Sequence, residues 1–191
     1  MLPALAIKRI SGAATSVLAS VCCVVAQAQT MAGREEAMNM QLVGYNDLQG
    51  RSAYQPVVQQ QGDRWIAYVG HHAGRHLNPL TGREEGNGTS ILDVTDPSSP
   101  RYLHHLPGAD LLGDESEAQM VRICAGSDLP SGIDGAYYML RAVGNQGHEI
   151  WNVTRPEAPE LVALIEQGGH LADTHKNWWE CNTGIAYLVS G

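Results

Sequence analysis

One ten-residue run occurs twice in this chain. Ile91-Leu92-Asp93-Val94-Thr95-Asp96-Pro97-Ser98-Ser99-Pro100 is echoed by Ile150-Trp151-Asn152-Val153-Thr154-Arg155-Pro156-Glu157-Ala158-Pro159, every position displaced by 59 (150 − 91). A short β-branched stretch followed by two prolines reads as a strand ending in a turn, because proline cannot donate to a ladder and its fixed φ suits a turn. Asp93 and Asn152 hold the same place before that turn, where a short side-chain oxygen bonds the amides of its own turn. A further strand follows each run, at 101–106 and 160–165.

Two more strands precede each run. Residues 54–60 lead through Gly62-Asp63 into 64–70, and 117–124 lead through a Gly/Pro/Ser-rich loop into 136–143. A third such pair, 174–181 and 185–190, is joined by Asn182-Thr183-Gly184. Glycine-containing connectors between alternating apolar runs are hairpin signals, and no segment keeps a helical period. The unit is therefore four antiparallel strands, A to D, recurring about every 60 residues, which is the signature of a β-propeller blade. The expectation is an all-β, incomplete propeller: a lead-in at 29–50, then 51–191 carrying blade 1 (about 54–106), blade 2 (about 117–166) and half of a third (about 174–191). The residues between Ala73 and Asn87 read as an insertion in the first B–C connection. A closed propeller needs at least about four blades. The chain is accordingly expected to be the N-terminal part of a longer protein or an early truncation, with an unpaired sheet edge and an apolar flank.

Ahead of the repeats stand a positive start (Lys8, Arg9), an uncharged apolar stretch from Ile10 to Val25, and the small-x-small exit Ala26-Gln27-Ala28. This is the secretory pattern, and residues 1–28 are expected to be a cleaved signal peptide. The protein is then periplasmic or extracellular, with no transmembrane span after cleavage. Loss of Lys8 and Arg9 leaves 10 (12 − 2) basic residues against 20 acidic ones. That balance excludes nucleic acid as a natural partner and favours cations, proteins or small molecules. Two of the 4 cysteines, Cys124 and Cys181, survive cleavage. In an oxidising compartment such a pair is more often a disulfide than two buried thiols, and both end a strand A in adjacent blades.

The run Tyr68-Val69 followed by Ile91 to Pro100 resembles the repeat of the LVIVD family of exported bacterial β-propellers. The second copy departs from it at Trp151-Asn152 and Arg155. The block from Asp173 to Gly191 also resembles a segment of such proteins, and the likeness runs from about Met40 onward. It implies a propeller at the cell surface or in the periplasm, in proteins longer than this chain, and little chemistry.

Strand alternation places the B–C and D–A connections on one rim. His71, His72 and His76 fall in the first B–C connection, His148 in the second, His170 in a D–A connection and His175 at the start of the third strand A, bordering the central channel. Neutral imidazoles from several loops suit zinc, copper or iron. His71, His72, His148 and His175 are the candidate ligands, with Asp173 and Glu149 (and Glu115 nearby) as carboxylates that could orient the rings. No compact metal motif, nucleophile elbow, phosphate loop or catalytic dyad is visible, and no catalytic residue is assigned. Trp178-Trp179 read as core packing. Two functions are expected: a binding or scaffold module for a protein or small-molecule ligand, or a metal-dependent, oxidoreductase-like enzyme at the histidine-bearing mouth.

Overall fold

The fold is described from a computed structural model, for residues 39–108 and 118–190. The leader at 1–28, the first part of the lead-in, Glu115, the start of blade 2 at 117 and Gly191 lie outside the described residues. Twelve strands run in order: β1 (Ala53–Gln61), β2 (Arg64–His71), β3 (Arg75–Asn78), β4 (Arg83–Gly86), β5 (Thr89–Asp93), β6 (Arg101–Leu106), β7 (Val121–Ala125), β8 (Tyr137–Ala142), β9 (His148–Asn152), β10 (Glu160–Ile165), β11 (Asn177–Glu180) and β12 (Ile185–Leu188). The protein is all-β. A first sheet has the order β1-β2-β5-β6, a second β7-β8-β9-β10, and β11-β12 make a two-stranded third. All pairings are antiparallel, and no sheet closes on itself. Pro56 is tolerated in β1 because β1 is an edge strand.

The insertion corrects the loop expectation. Residues 75–86 form a hairpin of their own, β3 on β4, closed by Leu80 N–H and Gly82 N–H on the Asn78 side chain and carbonyl. It rises from the β2–β5 connection, where the second sheet has only the short turn Gly144–Gln146.

The repeated run builds the same clamp twice. Thr95 N–H donates to Asp93 Oδ1 at 3.0 Å, and Thr154 N–H to Asn152 Oδ1 at 3.0 Å. Each threonine hydroxyl then accepts the N–H of the strand next door, Trp65 or Tyr137, at 3.0 Å. Val94 N–H to Trp65 O and Val153 N–H to Tyr137 O complete the pair at 2.8 Å each. Asx, threonine and proline thus fix one end of the strand B–strand C pair in both sheets.

Ile66, Tyr68, Ile91 and Leu106 of the first sheet pack on Val121, Met139 and Val153 of the second, all buried. Burying each such side chain contributes about 1.5–3 kcal/mol. The opposite face of the first sheet (Ala67, Val69, Leu92) is covered by Leu48 of the lead-in and by Val94 and Tyr102. Gly70 is required where the sheets meet, since a Cβ there would fall 2.2 Å from Gln119 O. Cys124 and Cys181 form a disulfide, Cα–Cα 5.5 Å, tying β7 to the end of β11. Ile185 and Tyr187 of edge strand β12 stay about half exposed, at 50% and 52%. An open cleft of about 480 Å³, lined by Tyr138, Ile150, Val162 and Trp179 among others, separates the second sheet from the third. No helix among the described residues is long and apolar enough to cross a membrane.

Candidate functional site

The B–C and D–A connections do meet on one rim. Ala118 N–H bonds His71 O at 3.2 Å, and Thr174 Oγ1 bonds Gly144 O and Gly147 O at 2.7 and 2.8 Å. The polar groups buried there fall into two clusters.

The larger cluster lies on the flank of the first sheet, under the β3–β4 hairpin and the turn Leu48–Gly50. His71 ends β2 rather than sitting in a loop, and it is fully buried. Its Nδ1 faces Ser52 O at 2.9 Å, and its Nε2 faces Ser90 Oγ at 2.7 Å. A carbonyl only accepts, so Nδ1 carries the proton and Nε2 accepts from Ser90. Ser90 Oγ in turn accepts from the Tyr102 hydroxyl at 3.2 Å. The relay runs one way, Tyr102 to Ser90 to His71 to Ser52. Burial lowers the His71 pKa to about 4, so the ring is neutral near neutral pH. His105, 3% exposed, lies 6.3 Å from it between ring centroids. Its Nε2 donates to Gly86 O at 3.0 Å, which leaves Nδ1 as a bare, buried lone pair without a partner. Burial lowers its pKa to about 3.

Arg51, 3% exposed, acts on both rings through space. One Nη2 proton goes to His76 O at 3.0 Å, while Nε and Nη1 have no partner. Glu85, on the hairpin, is held by Thr81 Oγ1 at 2.6 Å and Asn78 Nδ2 at 2.8 Å. Burial works to raise its carboxyl, but those two hydrogen bonds outweigh it and hold the group below the usual range. Asn87, 1% exposed, pins the hairpin root by accepting from His76 Nδ1 and donating to His72 O.

The second cluster is an ion pair within the second sheet, Arg141 of β8 with Glu149 of β9, that reaches the end of the first sheet. Arg141 Nε donates to Glu149 Oε2 at 2.7 Å, and its Nη atoms donate to Leu106 O and Pro107 O at 3.1 and 2.9 Å. Trp151 Nε1 donates to the same Glu149 oxygen at 2.6 Å and lies under the guanidinium, 5.4 Å from its ring centroid.

The four candidate ligands do not gather into one set. Both nitrogens of His71 are engaged by Ser52 and Ser90, and His148, buried at the start of β9, donates Nε2–H to Val189 O at 3.3 Å. His72 and His175 do converge, each edge-on to Tyr54, at 5.1 and 6.2 Å between centroids. Glu149 orients no histidine because Arg141 and Trp151 occupy it. Asp173 is exposed, and its N–H donates to Asn145 Oδ1 at 3.1 Å. Among the described residues no group of three or more His, Cys, Asp or Glu is placed to hold a metal ion. Arg51, Ser90, Tyr102 and His105 carried no mark in the sequence reading. Of the two tryptophans, one of which was expected to face the core, Trp178 is 53% exposed with Arg122 over its ring at 5.1 Å, and Trp179 is half-buried.

No family model matches the chain, and neither a curated protein nor a solved structure matches it.

Proposed function

We propose that this chain is part of an exported β-propeller of the LVIVD repeat type that acts as a binding module, with its ligand face on the rim just described. Two successive up-and-down sheets with the same turn clamp, and a third that starts alike, support the propeller. So does the packing of first strand against first strand, β1 beside β7 and β7 beside β11. The observation that carries the binding reading is the cluster around Arg51, His71 and His105. It holds buried donors and a buried acceptor with no partner in the chain, which a purely structural core avoids. At the clamped opposite end of the first sheet one such group stands among the described residues, the Gln61 Oε1 acceptor, with no unpartnered charged donor beside it.

The test is hydrogen exchange on the protein isolated from the exporting cell's periplasm or medium, with and without its co-purifying small-molecule fraction. Protection confined to the β2–β5 and β6–β7 connections is expected. Protection at the Asp96–Arg101 and Arg155–Glu160 turns instead overturns the rim assignment.

A second reading, a metal-dependent oxidoreductase-like enzyme, is favoured by one observation, the convergence of His72 and His175 on Tyr54. Stoichiometric zinc, copper or iron in the exported protein, lost in His175→Ala, supports that reading; substoichiometric metal that survives the substitution ends it.

A further inference from the structure

We propose that Arg51 and His105 form a binding site for a small oxyanion that carries a hydroxyl group, hydrogen phosphate or a hydroxycarboxylate. The proposal gives a ligand class to the rim and rests on the binding reading of it.

The two buried arginines of this rim make an internal comparison. Arg141 has a carboxylate, two backbone carbonyls and an aromatic face, so its fork is filled. Arg51 is buried to the same 3% exposure. It belongs to none of the ion pairs among the described residues, and it donates to a single carbonyl. Its Nε and Nη1 are left with protons and no acceptor. Glu85 acts on Arg51 through space, but the two make no ion pair, and its oxygens accept from Thr81 and Asn78. A guanidinium is always charged, and its planar fork matches a carboxylate or phosphate. The acceptor that suits it is therefore an anionic oxygen from outside the chain.

His105 adds the selectivity. Its Nε2 proton is committed to Gly86 O, so the free Nδ1 can only accept. The carbonyls that anchor the two groups are close on the hairpin: Gly86 pairs with Arg75, and the next residue of β3, His76, pairs with Glu85. Beneath one hairpin, then, stand a donor fork and a lone-pair acceptor that feel each other through space. Hydrogen phosphate and hydroxycarboxylates offer an anionic oxygen to the first and an O–H to the second. Sulfate and acetate offer only the anionic oxygen. A buried acceptor left unpaired is costly, so the ligand that lacks the hydroxyl should bind less well.

The experiment is thermal unfolding of the whole chain near neutral pH in phosphate, glycolate, sulfate or acetate, at ionic strength matched with sodium chloride. A ligand that binds only the folded state raises the midpoint with the logarithm of its concentration. Phosphate or glycolate is expected to do so, at about tenfold lower concentration than sulfate or acetate respectively. Arg51→Met should abolish the effect, and His105→Phe should erase the preference for the hydroxyl-bearing anion. No rise beyond chloride, equal response to the hydroxyl-less anion, or an unchanged response in Arg51→Met overturns the proposal. Should Arg51→Met fail to fold, arsenate soaked into crystals of the unaltered chain decides: an anomalous peak within hydrogen-bond reach of Arg51 is expected, and its absence refutes the site. Rim protection in hydrogen exchange without any anion response would sink this ligand class and leave the binding face standing.

Discussion

Lowering the pH from about 7.5 to 5 should weaken this fold by way of His71 and His105. Both rings are buried, at 0% and 3% exposure, and burial lowers their pKa from 6.5 to about 4 and about 3. Each group therefore binds fewer protons folded than unfolded at any pH between its two values. Stability rises with pH across that window, is fully present above about 6.5, and is lost as the pH falls. At pH 5 the unfolded ring favours proton binding over the folded one by a factor of about 30, or roughly 2 kcal/mol for each histidine. The pair together should cost about 4 kcal/mol, a large share of the roughly 5–15 kcal/mol that holds a domain together. Burial also lowers His148, which adds to the loss in the same direction. Urea unfolding followed by tryptophan fluorescence at several pH values between 7.5 and 5 measures the slope. Each of His71→Gln and His105→Gln should reduce it by about 1 kcal/mol per pH unit or somewhat more, whatever it does to stability at pH 7.5. A flat profile, or a slope that both variants leave unchanged, would refute the neutral, buried state of these rings.

Glu149→Ala should cost about 3–5 kcal/mol, because it strands the buried Arg141 charge and the Trp151 N–H together. The double variant Arg141→Met, Glu149→Leu should be markedly more stable than that single one, and strict additivity in urea melts would count against the pair. Reducing Cys124–Cys181, which closes a separation of 57 residues, should lower stability by about 4 kcal/mol in the chain-entropy treatment, read as the shift in urea midpoint with and without reductant. Thr154→Val removes the acceptor for Tyr137 N–H at an exposed turn, and a loss of about 1 kcal/mol is expected, with Thr95→Val giving a similar figure. N-terminal sequencing of the protein recovered outside the cytoplasm should begin at Gln29, and retention of Met1 would refute cleavage after Ala28.

The strands were legible because each combines an apolar alternation with a turn that local chemistry enforces. Asx, threonine and proline at fixed spacing act within a few residues, so Asp93 and Asn152 betray their clamps from sequence alone. The cysteines were legible for a related reason, since the repeat puts them at equivalent places in neighbouring sheets. The β3–β4 hairpin escaped because Arg75-His76-Leu77-Asn78 and Arg83-Glu84-Glu85-Gly86 are short and polar. Their pairing is set by the turn at Asn78 to Gly82 and by their anchorage on Asn87, not by any apolar period.

The candidate site was half legible, and the repeat itself explains which half. Rim geometry follows from strand direction, so the histidines were assigned to the correct end of the sheets. Burial does not follow from strand direction: His71 and His105 are dry only because a lead-in turn and an inserted hairpin cover them. The two copies of the repeat agree at the clamp and diverge at the rim, where Thr89-Ser90 in one becomes His148-Glu149 in the other. At the same place in the ladder, Ser90 faces Val69 and serves the His71 relay, while Glu149 faces Arg141 and fills its fork. One end of each sheet is thus held constant by backbone chemistry, which leaves the other free to change its side chains without loss of the frame. Buried groups at the variable end that still lack partners, Arg51 and His105 foremost, are where ligand chemistry should be sought.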